Sequence, residues 1–128
     1  MEFNYKPYII SLVEYMLKNG YTVKPLPKVV LKKDKQEGLF IMTGYYNRAD
    51  KEVVLFVTDR HPKDVLRSLA HELIHHKQFE DGRITLDMCE ENQITKNEKI
   101  KPFEEEAYLK GNIAFRSWTE TYKKENKD

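Results

Sequence analysis

The stretch Ala70 to Gly82, "AHELIHHKQFEDG", holds three of the chain's four histidines within six residues, with a glutamate directly after the first. On a helix His71 and His75 lie four residues apart, about 40° round the axis and about 6 Å along it. Two imidazoles so placed can meet one metal ion. Glu72 falls on the same side, about 60° round from His75, close enough to reach a water on such an ion but badly aligned to be a third ligand. That is the mechanical content of a His-Glu-x-x-His pattern. Zinc held by two neutral imidazoles and one carboxylate keeps a fourth position open and lowers the pKa of bound water towards about 7. Glu72 is then the expected general base, taking that proton and later passing it to a leaving amine. The plain reading of the same residues is a helix that carries surface histidines.

Two histidines leave a third ligand to be found. His61 precedes the helix start and His76 points about 100° away from His75, so neither is well placed and an acid is expected. Asp81 stands ten residues after His71, the spacing of the metzincin proteases. Those families have a glycine three residues after the second histidine, where this chain has Gln78. The alternative for Asp81 is a helix-ending "EDG" turn.

The elements that must position these groups can be read from periodicity. Between Phe3 and Lys18 apolar residues recur at Tyr5, Tyr8, Ile9, Leu12, Val13 and Met16, the three-and-four spacing of one helix face, and Gly20 suits a left-handed cap. Three strand-like runs follow: "KVVLKK" (28 to 33), "GLFIMTGYY" (38 to 46) and "KEVVLFVT" (51 to 58). The last two flank "NRAD" and read as a hairpin. The histidine helix is placed from Pro62 to Glu80, with Asp59 a candidate cap, Gly82 a stop, and Leu66, Leu69 and Leu73 on the side away from the metal-facing histidines. Residues 83 to 100 are polar and aperiodic and read as a loop. Pro102 opens a second long helix whose packing face is Phe103, Ala107, Ala114, Trp118 and Tyr122. Residues 122 to 128 read as a frayed tail. The expectation is one α+β domain over 1 to 128: N-terminal helix, three-stranded mainly antiparallel sheet, histidine helix, loop and C-terminal helix.

The pair of features His71-Glu72-x-x-His75 on one helix and Glu106-Ala107 on the next resembles the gluzincin zinc metallopeptidases. It is similar above all to their minimal forms and to cytoplasmic proteins of phage and mobile-element regulation. The likeness covers Val53 to about Phe115 and implies a zincin-like fold, zinc as cofactor, a peptide or protein substrate, and Glu106 as third ligand, with the small Ala107 letting two helices approach. Glu105 or Glu104 remains open, since one residue of helix phase turns a side chain by about 100°. The plain reading of both is an acidic first turn that complements the helix dipole. One departure is Lys110, where many gluzincins carry an aspartate that orients a histidine, so the support of His71 is unassigned.

A tetrahedral intermediate needs a donor besides the metal, and Tyr108, Tyr45, Tyr46 and His61 are candidates, each with a core or surface alternative. His76 is expected beside the site or facing solvent, with a hydrogen bond to Glu72 as a further option. Cys89 could reach the metal as a thiolate or be a plain loop residue. The resemblance also implies an edge strand that lines the cleft and pairs with an extended substrate; "KEVVLFVT" immediately precedes the histidine helix, and which strand is the edge is not legible.

The chain's 22 basic and 21 acidic residues leave a formal net charge of +1, so no overall field favours nucleic acid or an anionic membrane. The lysines at 24, 28, 32, 33 and 35 lack interleaved aromatics and read as a solvated strand pair. No apolar run approaches the roughly 20 residues of a membrane span, "MEFNYK" has no signal-peptide core, and a lone cysteine suits a reducing compartment. A cytoplasmic metalloendopeptidase is therefore the leading expectation. The second is a non-catalytic zinc-binding regulatory or interaction module on the same scaffold, which would need neither Glu72 nor an open metal position. Oligomeric state is not written in the sequence.

Overall fold

The computed structural model describes residues 3–21, 23–33, 43–84 and 101–125. Its elements in chain order are α1 (Lys6–Lys18), β1 (Lys28–Lys32), β2 (Gly44–Asn47), β3 (Glu52–Phe56), α2 (Pro62–Glu80) and α3 (Lys101–Glu125). The architecture is α+β, three helices with a small three-stranded sheet. The first part of the strand read at 38 to 46, residues 85–100 of the loop read at 83 to 100, with Cys89, as well as Lys35 and the last three residues, lie outside the described residues.

The sheet order is β1-β3-β2. The β2–β3 hairpin expected around "NRAD" is present and antiparallel, with Tyr46 opposite Val53. Its turn is held by Asn47, whose side chain both donates to the Asp50 carboxylate and accepts from the Asp50 backbone N–H. The expectation of a mainly antiparallel sheet needs correction, because β1 runs parallel to β3, with Val29 opposite Val53. A strand's side-chain pattern reports its faces and not its direction, so parallel and antiparallel neighbours read alike. β3 is the central strand, and its Val53, Val54, Leu55 and Phe56 are all buried, as a strand covered on both faces requires. The edges are β1 and β2.

α2 is in contact with every other helix and with β2 and β3 of the sheet, most extensively with α3. Its Leu66, Leu69 and Leu73 are buried as expected and share one core with Leu12 and Met16 of α1, Val53 and Leu55 of β3, and Ala114 and Trp118 of α3. The Trp118 indole N–H donates to Ser11 Oγ at 3.0 Å, tying α3 to α1. The C-terminal helix continues past the expected start of a tail, to Glu125, because Tyr122 still packs on the rings of Trp118 and Tyr8. Arg60 fixes the junction between sheet and α2, its guanidinium donating to the carbonyls of Thr43, Phe56 and Asp64 and to Ser68 Oγ. Among the described residues no helix is long and apolar enough to cross a membrane.

Candidate metal centre

α2 begins and ends where the sequence places it, but its cap differs. His61, not Asp59, is the N-cap, its Nδ1 accepting from the Lys63 backbone N–H at 3.0 Å. Asp59 instead sits in a left-handed turn with φ 59°. His61 is spent on the cap about 15 Å along the axis from His71, too far to act as a donor at the site. The helix stops at Asp81, followed by Gly82 with φ 78°, as the sequence indicates.

His71 and His75 share the side of α2 that faces α3, their ring centroids 4.8 Å apart. The acid between them is Glu104, in the first turn of α3. One of its carboxylate oxygens lies 3.4 Å from His71 Nε2 and contacts His75 Nε2 directly. Glu72 is buried, and its carboxylate falls within 4.8 Å of the ligand atoms of both histidines.

Glu106, the position implied by the family likeness, is paired with Arg83 and Gln78 in this structure, and the acid beside the two histidines is Glu104. Two residues of helix turn a side chain by about 200°, so Glu104 and Glu106 leave α3 on nearly opposite sides. Glu106 pairs with the Arg83 guanidinium at two points, 3.0 and 2.7 Å, and also accepts from Gln78. Glu105 is exposed and also turned away from the cluster. Asp81 is paired with Lys77 at 2.7 Å beyond the end of α2, so the turn reading holds for it. The signal for Glu104 was present in the spacing of α3: the buried seam Trp118, Ala114, Gly111, Ala107 steps back by four, three and four, and a further step of three reaches Glu104.

The histidines divide between two layers. His75 faces α3, whereas His76, about 100° round the helix, is fully buried on the sheet side. Its Nδ1 meets the Tyr46 hydroxyl and its Nε2 the Pro25 carbonyl, each at 2.6 Å. A carbonyl can only accept, so Nε2 carries the proton and Tyr46 donates to Nδ1. His76 is thus a buried structural residue, neither solvent-facing nor bonded to Glu72, and Tyr46 is committed to it. Tyr45 packs on Phe56. Of the donor candidates only Tyr108 reaches the cluster, its ring 4.4 Å from that of His71. It stands four residues after Glu104, the place that Lys110 would hold relative to Glu106.

Burial pushes the Glu72 carboxyl up, and the two histidines oppose this. Burial alone would lower His75, but its hydrogen bond to Glu104 and the charge of Glu72 more than offset it and hold the ring above its ordinary value. Glu104 is held well below the usual carboxylate range by its contacts with His71 and His75, and Glu106 is held at about 2, chiefly by Arg83.

The donor set suits a cation. His71, Glu72 and His75 each bring one ligand atom within 4.8 Å of the others. Glu104 Oε1 lies 3.4 Å from His71 Nε2, about the spacing of two ligands on a tetrahedral zinc, but is in direct hydrogen-bond contact with His75 Nε2, closer than that spacing. His71 Nδ1 is buried and has no hydrogen-bond partner among the described residues. His75 does have support that sequence reasoning missed, because Gln78 accepts from its Nδ1 at 2.9 Å. Compared with family models, curated proteins and solved structures, the chain shows no match to any of them.

Proposed function

We propose that the chain is a zinc-dependent peptidase in which His71, His75 and Glu104 hold the ion and Glu72 is the general base. The observation that carries this reading is the single Glu104 carboxylate oxygen facing the Nε2 atoms of two histidines one helical turn apart, with a buried glutamate in the same cluster. Two imidazoles and one carboxylate leave a coordination position open, the hallmark of catalytic rather than structural zinc. A zinc ion bound there supplies a Lewis acid and lowers the pKa of water. Glu72 then takes the proton of the attacking water and returns it to the leaving amine, a double duty favoured by burial that raises its proton affinity. Tyr108, 59% exposed beside His71, offers a phenol to the oxygen on which charge develops. An edge strand, β1 or β2, offers backbone groups to an extended peptide.

Metal analysis of purified protein and a peptide-library cleavage screen, on wild type and Glu72→Gln, test this. The expected result is one zinc per chain in both, with cleavage lowered about 100-fold or more in the variant. Cleavage by Glu72→Gln at the wild-type rate would overturn the mechanism. Bound zinc without cleavage of any peptide would identify the chain as a non-catalytic zinc module.

A further inference from the structure

Gln78 is fully buried in the last turns of α2, and its carboxamide meets three neighbours. Its Nε2 donates to the Phe103 carbonyl and to Glu106 Oε1, both at 3.0 Å, and its Oε1 accepts from His75 Nδ1 at 2.9 Å. The first two neighbours have only lone pairs to offer. The amide therefore cannot be turned round: its NH2 must face them and its carbonyl oxygen must face His75. That orientation keeps a proton on Nδ1, so that Nε2, which donates to the Glu104 carboxylate in the absence of metal, is the nitrogen that would exchange its proton for a cation. Glu106 is itself pinned by the two-point pair with Arg83.

We infer that Arg83, Glu106 and Gln78 form a positioning relay that sets the ring orientation and proton position of His75 for metal ligation. The relay rests on the reading of His71, His75 and Glu104 as ligands. It assigns Glu106 a task at the metal centre without contact with the ion, and it accounts for a buried amide beside a histidine pair. Each member acts only through the next. Removing two of them therefore costs no more than removing the one nearer to His75.

Zinc affinity, measured by competition with a chelator, tests this on Gln78→Leu, Glu106→Leu, Arg83→Met and the double variants, with thermal melts as the folding control. Gln78→Leu is expected to weaken zinc about 10-fold or more, Glu106→Leu less and Arg83→Met least. Adding Glu106→Leu to Gln78→Leu should weaken binding no further. Wild-type affinity in Gln78→Leu, or losses that multiply in the double variant, would overturn the relay. Should Gln78→Leu fail to fold, the pair of Arg83→Met and Glu106→Leu, nearer the surface, decides by the same criterion. A readout independent of metal is the His75 Nδ1 proton in the metal-free chain, expected as a downfield, slowly exchanging resonance that is lost in Gln78→Leu and exchanges faster in Arg83→Met. Its absence from the wild type would overturn the relay. Its presence in a wild-type protein that binds no zinc would leave the hydrogen-bonded chain standing and remove the metal-site reading instead.

Discussion

Gly111 of α3 lies against the backbone of His71: a β-carbon at position 111 would stand 2.9 Å from the His71 Cα and 3.1 Å from its nitrogen. Both obstacles are backbone atoms of a central helix and cannot swing aside. Gly111→Ala should therefore lower stability, although alanine favours a helix interior by about 1 kcal/mol, because overpacking of this kind costs about 1–3 kcal/mol. It should weaken zinc as well, since Glu104 moves with α3. Urea denaturation and chelator competition check both, and an alanine variant as stable as wild type would show that the helices separate freely.

Glu104 and Glu106 are separable by metal content. Glu104→Gln removes the carboxylate facing both imidazoles and should leave the purified chain without stoichiometric zinc. Glu106→Gln should retain zinc, with affinity lowered by no more than the about 10- to 100-fold of a residue acting through another. The reverse order would return the ligand role to Glu106.

Tyr46→Phe should destabilise the fold by about 1–3 kcal/mol, because it leaves the buried His76 Nδ1 without its donor. Zinc stoichiometry should not change, since His76 faces the sheet layer. A matched pair of denaturation curve and metal assay reads this, and zinc loss at unchanged stability would contradict the division of the histidines.

Zinc binding to the folded chain alone should raise its stability by about 2.7 kcal/mol at a free concentration 100 times the dissociation constant. Melting curves with added zinc and with chelator measure the difference. Glu104→Gln should show none of it.

What local chemistry dictates was legible from the residues. The bounds of α2, its leucine stripe, the hairpin around "NRAD" and the candidate ligand pair His71 and His75 all follow from spacings within one element. The direction of β1 was not, because pleat periodicity is the same in both directions. The fate of His76 was not either: a histidine on an apolar helix face looks alike whether a tyrosine and a carbonyl await it or water does. The choice among "EEE" was open on local grounds, and the family likeness selected Glu106, although the seam from Trp118 back to Glu104 pointed to the other residue.

The sequence by itself determined that two imidazoles and a glutamate share one face of one helix, since a covalent spacing of four residues and a 3.6-residue turn leave no other result. Only the tertiary structure decided which acid completes the cluster. That choice depends on the rotation of α3 about its own axis as it docks on α2, with Gly111 against the backbone of α2 at Ala70 and His71 and with Ala107 and Ala114 buried along the same helix. A turn of 200° would have brought Glu106 to the histidines. The small-residue seam brought Glu104, and left Glu106 to Arg83 and Gln78.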